Sequence, residues 1–124
     1  MIVAGVGCRK GASGAQIETA IRAALAQADL TTIDLVAAPA TKSSEPGIVA
    51  AASALGVPLV FVAQAGLEAA GPRTATRSER VLRMMNVPSA AEAAALAAGG
   101  PHARLIAPRT AVGPATCALA RTSP

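Results

Sequence analysis

Tryptophan and tyrosine are absent, and Phe61 is the single aromatic residue of 124. That removes the stacking platforms on which single-stranded nucleic acid is held. With no dense basic run either, the chain does not read as a nucleic-acid binder. The core must be built from Ile, Val, Leu, Met and close-packed Ala, which suits helices lying tightly on a sheet. Cysteine is also scarce. Cys8 and Cys117 are too few and too far apart for a disulfide framework or a zinc cluster, so two free thiols are expected. No apolar run reaches transmembrane length, and the short apolar start before Cys8 lacks the basic segment of an export signal. A cytoplasmic chain, with no membrane partner, is the expectation. Acidic residues are outnumbered, 7 against 11, and the formal net charge of +4 favours an anionic partner.

What is present is most telling at the N-terminus. An apolar run from Met1 to Val6 enters a glycine-punctuated turn, Gly5-Val6-Gly7-Cys8-Arg9-Lys10-Gly11, and an amphipathic pattern begins at about Ser13. A strand that feeds a helix through such a turn places backbone N–H groups and two cations at one sheet edge, where open α/β sheets bind ligands. The glycines at 5, 7 and 11 do not fit G-x-G-x-x-G, and Ala37-Ala38-Pro39 closes the second strand without an acidic residue. A dinucleotide cofactor is therefore not expected, and no other cofactor is indicated.

The remaining pattern alternates strands and helices. The first strand is read as Ile2 to Gly7. The first helix has Ser13 and Gln16 in capping-box register, with Ile17, Ala20, Ile21, Ala24, Leu25 and Ala28 on one face. Ile33 to Ala38 reads as a second strand. After the polar loop Pro39 to Glu45, Pro46 opens a helix with Ile48, Val49, Ala52 and Leu55 inward, stopped at Gly56. Leu59 to Ala63 is a third strand, Gln64 to Ala70 a brief helix, Gly71 to Thr76 a loop, and Ser78 to Met85 a short helix. Ser89-Ala90-Ala91-Glu92 reads as a capping box opening an alanine-rich helix that ends at Gly99-Gly100. Two strands, Ala103 to Ala107 and Ala115 to Ala120, flank a loop with Gly113-Pro114 and suit an antiparallel hairpin. The fold expected is a single three-layer α/β domain over residues 1–121. Its central sheet has about five strands, mostly parallel, with an antiparallel edge hairpin; residues 122–124 are read as a frayed tail.

Candidate functional residues cluster in the loops. Thr41-Lys42-Ser43-Ser44-Glu45 repeats the strand-end, loop, helix-start arrangement of the first turn. Ser44 or Glu45 can cap the helix. Capping does not call for Lys42, because a cation there opposes the helix dipole. Both lysines of an arginine-rich chain, Lys10 and Lys42, fall in these two loops. Cys8 is open to two readings, a buried thiol or a nucleophile activated by Arg9 and Lys10. Arg77, Arg80 and Arg83 share one side of a short helix, as a solvated face or an anion contact. His102 stands alone in a surface turn, and no metal site is indicated.

Five blocks, in order, carry a resemblance. They are Val3 to Gly11, Thr41 to Glu45 with Gly47, Ser78-Glu79-Arg80-Val81, Ser89 to Leu96, and Ala115-Thr116-Cys117-Ala118-Leu119-Ala120. Together the sequence resembles the cobalamin-biosynthesis CobE/CbiG C-terminal domain family. Long members resemble cobalt-precorrin-5A hydrolases and carry a further N-terminal domain; a stand-alone domain of this length resembles the CobE branch. The resemblance implies a protein that acts on, or holds, a corrin-ring intermediate such as hydrogenobyrinic acid or a precorrin, alongside other cobalamin-pathway enzymes. Two departures stand out: Arg109 replaces a lysine frequent in the family, and Ala90 a valine.

Corrin intermediates are flat, apolar macrocycles ringed by carboxylates, so dispersed cations beside an apolar shelf fit them better than one dense patch. The ligand-binding residues expected are Gly7, Cys8, Arg9, Lys10, Gly11, Thr41, Lys42, Ser43, Glu45, Ser78, Glu92, Arg109 and Thr116, with Met84-Met85 as an adaptable apolar wall. Three roles stay open: carrier or accessory protein, lactone hydrolase using Lys42, Glu45 or Thr116 in proton transfer or water orientation, and interaction module without a ligand.

Overall fold

The computed structural model describes residues 1–122. The strands are β1 (Ile2–Cys8), β2 (Leu35–Pro39), β3 (Leu59–Val62), β4 (Arg104–Val112) and β5 (Ala115–Arg121). The helices are α1 (Gly14–Gln27), α2 (Pro46–Leu55), α3 (Gln64–Ala70), α4 (Glu79–Met85) and α5 (Ala90–Gly99). The strands form one sheet in the order β3-β2-β1-β5-β4. β1, β2 and β3 pair in parallel, and β5 runs antiparallel to both β1 and β4. Four strands thus point one way and β5 alone is reversed, the mostly parallel sheet with an edge hairpin that the pattern implied.

Period-two alternation divides the sheet between two helical layers. Ala4, Val6, Val36 and Ala38 pack with Ile17, Ile21, Ala24, Ile48 and Ala52 of α1 and α2. Val3 and Ala37 face the opposite layer, with Leu67 of α3 and Ala93, Ala94 and Leu96 of α5. Gly5 sets the spacing of that layer. A Cβ there would collide with the Ala91 carbonyl and lie 2.7 Å from the Ala95 amide. With Phe61 the single aromatic side chain, helix backbone on strand backbone supplies much of the density.

The capping box of α1 forms as read: Ser13 Oγ accepts from the Gln16 N–H at 3.1 Å and Gln16 Oε1 from the Ser13 N–H at 2.9 Å. Elsewhere the structure corrects the reading. Val49 is 50% exposed, because α2 buries Gly47, Ile48, Ala51 and Ala52 instead. The loop after α3 holds a 3-10 turn at Gly71–Arg73, and Pro39–Glu45 another at Ala40–Lys42. β4 runs on past Pro108 to Val112. It lies at the sheet edge, and its register shifts between Ala107 and Thr110, where proline's missing N–H is tolerated. The hairpin closes on Gly113 and Pro114 alone, with Gly113 at φ 58°, as a glycine-first two-residue turn requires. Thr122 is tied back by its N–H to the Met1 carbonyl at 3.0 Å, and residues 123–124 lie outside the described range.

Candidate functional site

The carboxyl ends of β1 and β2 and the turn end of the β4–β5 hairpin meet at one edge of the sheet, and a cavity of about 700 Å³ opens there. This is the place where parallel α/β sheets expose ligand sites, and the volume is that of a small-molecule pocket. Three connections build it. The Arg9 N–H donates to the Pro114 carbonyl at 2.8 Å, joining the first loop to the hairpin turn. Thr116 Oγ1 donates to the Gly7 carbonyl at 3.3 Å. Gly11, at φ 83°, turns the chain so that its N–H donates to Glu45 Oε1 at 2.8 Å, joining the first loop to the second. Helix α4 forms the facing wall with Ser78, Val81, Met84 and Met85, and the N-terminus of α5 adds Ala90 and Ala91.

Five cations line the cavity: Arg9, Lys10, Lys42, Arg80 and Arg109. None of its lining residues is acidic. Among the described residues the ion pair found joins Arg77 and Glu79 at 2.8 Å and includes none of these five. An uncompensated set of cations around a partly apolar concavity raises the local concentration of anions and supplies donors for several carboxylates at once.

Of the residues expected from the sequence, Gly7, Cys8, Arg9, Lys10, Lys42, Ser78, Arg109 and Thr116 line this cavity. Gly11, Thr41, Ser43, Glu45 and Glu92 stand outside the lining. Gly11 and Glu45 act behind it through their mutual hydrogen bond. Glu45 occupies the N-cap position of α2, but its side chain makes no capping bond. Thr41 is exposed, its hydroxyl 3.9 Å from Met85 Sδ. Ser78 caps α4, accepting from the Val81 N–H at 3.3 Å. Arg80 completes the cationic ring. Its three-residue spacing with Arg77 and Arg83 reads equally as a solvated stripe, and only the packing of α4 separates the two.

The second half of the expected α5 capping box does not form. Ser89 Oγ accepts from the Glu92 N–H at 3.4 Å, but the Glu92 carboxylate turns away from Ser89. Fully buried, its Oε1 accepts from the N–H groups of Ala75 (2.6 Å) and Thr76 (2.8 Å). Its Oε2 accepts from Thr76 Oγ1 (2.6 Å) and the Arg109 N–H (2.8 Å). Burial alone would raise its pKa. The bonds from Thr76, Arg109 and Ala75 outweigh that and hold it below the ordinary glutamate range.

Cys8 shows the opposite balance. Burial pushes its thiol up, Lys42 opposes this and Glu45 adds to it, so the net shift is upward. Thiolate activation by Arg9 and Lys10 is not what the surroundings produce. Cys117, opposite Val6 on β5 and buried in the same α1–α2 core cluster that Cys8 packs against, is pushed up to about 12 by burial. Both cysteines are free. Among the described residues no three His, Cys, Asp or Glu side chains gather as a metal site, and no helix is long and apolar enough to cross a membrane.

Comparison with known proteins places this chain among relatives in sequence and fold. The family described as cobalamin synthesis G C-terminus matches residues 2–120. Protein CobE of Sinorhizobium sp is 36% identical over 121 residues, spanning 96% of this chain and 79% of that protein. The crystal structure of CobE, a protein from the cobalamin (vitamin B12) biosynthetic pathway, superposes with a TM-score of 0.91. Its identity is 33%, covering 99% of this chain and 91% of that one. Cobalamin biosynthesis protein chiG from Agrobacterium tumefaciens gives a TM-score of 0.81 at 46% identity over 100% of both chains. A cobalamin biosynthesis protein G homologue from Sulfolobus solfataricus, at 22% identity and a TM-score of 0.62, shares the fold over 96% of this chain and 36% of its own.

Proposed function

The chain belongs to the cobalamin synthesis G C-terminus family, with a role in cobalamin biosynthesis, and from that premise we propose that it holds a corrin-ring intermediate in the cavity at the strand ends. It acts there as a carrier or accessory protein to neighbouring pathway enzymes. The observation that carries this reading is the ring of five cations without a lining carboxylate around about 700 Å³ of partly apolar space. A flat macrocycle with carboxylate side chains matches it on both counts. Its apolar faces meet Val81, Met84, Met85, Ala90 and Ala91, and its peripheral acids meet Arg9, Lys10, Lys42, Arg80 and Arg109. The cations come from four separate elements or loops, so their contacts are spread around a rim, as an extended ring of acids demands. Each exposed contact contributes modestly, on the order of 1 kcal/mol, and together they select for charge number and spacing.

A lactone-opening hydrolase needs a nucleophile or activated water beside a base. Of the three groups expected to serve it, two have other bonds, Glu45 accepting from Gly11 and the Thr116 hydroxyl donating to Gly7, and Lys42 lines the cavity as a cation rather than as a base. The geometry therefore favours holding over turnover.

The test is direct. Purified protein is mixed with hydrogenobyrinic acid, and separately with earlier precorrins, the absorption spectrum is followed, and the mixture is desalted. Unchanged pigment co-eluting with the protein supports the carrier. An altered chromophore or a released fragment overturns it in favour of the enzyme, and pigment neither retained nor altered overturns both. Lys10→Ala with Lys42→Ala is expected to weaken retention and flatten its salt dependence. Undiminished binding by that variant would move the site elsewhere.

A further inference from the structure

We infer that Glu92 is a positioning residue that sets two walls of the cavity with one carboxylate; this rests on the cavity being the binding site. Its four donors come from two separate stretches of chain, Ala75 and Thr76 ahead of α4, and the β4 bulge at Arg109. Those stretches carry Ser78, Arg80, Val81, Met84 and Met85 on one side, and Arg109 on the other.

Helix α4 needs such a tie. It has no fully buried residue and Met84 is 69% exposed, so its hydrophobic packing is limited to half-buried side chains, Val81 and Met85 among them, against the α3–α5 cluster. Polar anchors at its ends add to that packing. At the C-terminal end Gln64 Nε2 donates to the Met85 carbonyl. At the N-terminal end the Ser78 N–H donates to the Pro88 carbonyl at 2.9 Å, and Glu92 gathers the preceding residues. The bulge has a matching need. Between Ala107 and Thr110 the ladder register shifts, and the Arg109 N–H is turned onto Glu92 at 2.8 Å. Glu92 itself is fixed from beneath, at the start of α5, where Ala91 packs on Gly5.

A carboxylate is the group for this task. All four donors point at its two oxygens, and no cation competes for them. An amide of the same size offers one accepting oxygen and turns an NH2 toward N–H groups that need an acceptor. Glu92→Gln therefore breaks one side of the tie, releasing either the approach to α4 or the Arg109 bulge. Arg80 and Arg109 then lose their fixed separation, while the α1–α2 layer on the opposite face of the sheet is untouched.

The experiment combines amide hydrogen exchange with pigment retention. In Glu92→Gln the amides of the released side, either Ala75, Thr76 and α4 or Arg109, are expected to exchange about tenfold faster or more, with β1 and α1 unchanged. Hydrogenobyrinic acid retention should fall about tenfold. In a double-mutant cycle Arg109→Ala should cost less in the Glu92→Gln background than alone, because its side chain is already displaced; a merely structural role would give additive losses. Thr76→Val, which removes one donor and keeps the carboxylate, covers the case in which Glu92→Gln fails to fold. It should loosen residues 75–82 and leave the sheet protected. Wild-type exchange rates at all of Ala75, Thr76 and Arg109 in Glu92→Gln, or at Ala75 in Thr76→Val, or additive losses in the cycle, would overturn the assignment. Failure of the wild-type protein to retain any pigment would instead strike the binding reading, and the exchange measurement would still decide whether Glu92 ties the walls.

Discussion

Glu45 Oε1 accepts a hydrogen bond from the Gly11 N–H at 2.8 Å, across 34 residues of sequence. The bond makes one unit of the two loops that carry Arg9, Lys10 and Lys42. A helix start that needed capping from Glu45 would have kept its side chain at home; here α2 begins with Pro46, whose missing N–H lowers that need, and the carboxylate is free to reach across.

Glu45→Ala leaves the Gly11 N–H without its partner and opens a gap behind both loops. A loss of about 1–2 kcal/mol in unfolding free energy is expected, read from the denaturant midpoint. Glu45→Gln keeps an accepting oxygen at the same reach and should stay within about 0.5 kcal/mol of the parent. Equal losses from both variants would show that charge, and not the bond to Gly11, is what counts at this position.

Gly5→Ala tests the close approach of α5 to β1. The added Cβ meets the backbone of Ala91 and Ala95, neither of which can swing aside as a side-chain tip can. The helix must lift from the sheet, at a cost of about 3 kcal/mol or more. Poor soluble yield or a strongly lowered thermal midpoint is expected. A variant of parental stability would mean that the helix–sheet spacing is softer than the geometry implies.

Much of this architecture could be read from the sequence because its signals are local. Ser13 and Gln16 sit three apart and cap one helix, and α3 spans Gln64–Ala70 as its pattern says. The cations of the two βα loops follow from topology, since parallel strands deliver their carboxyl ends to one edge. What stayed hidden is decided at long range. Ile48 and Val49 are both apolar, so periodicity could not say which of them faces the sheet. Glu92 has a ready local partner in Ser89, while its actual donors lie 16 and 17 residues away on either side. Pro108 reads as a strand end, and only its place on an edge strand beside a bulge lets β4 continue.

Glu92 also predicts an acid limb in stability. Its folded-state pKa lies below the ordinary glutamate value, so the folded chain holds the proton less tightly than the unfolded chain does. The stabilisation is complete above the unfolded pKa and is lost as pH falls through the folded one. The difference in unfolding free energy between the parent and Glu92→Gln should thus be largest near neutrality and narrow below the ordinary glutamate range. Chemical denaturation at a series of pH values measures it. A gap that stays constant into acid would show that Glu92 titrates alike in both states.

Cys8 reports on the cavity from inside. Its thiol is raised by burial and by Glu45 and lowered by Lys42, and the thiolate is the reacting form. At neutral pH iodoacetamide should therefore modify Cys8 more slowly than an unhindered thiol, with the rate climbing in alkaline solution. Lys42→Ala should slow the reaction further, and Glu45→Gln should quicken it, because each removes one of the two opposing charges. Cys117, raised to about 12 by burial, should stay unmodified until the protein unfolds, which gives an internal control for intact structure. Since Cys8 lines the cavity, bound hydrogenobyrinic acid should protect it while leaving the unfolding-dependent modification of Cys117 unchanged. Alkylation of Cys8 at an ordinary thiol's rate, or at the same rate with and without retained pigment, would place the ligand outside this cavity or the thiol outside its buried setting, and mass spectrometry of the modified peptides distinguishes the two.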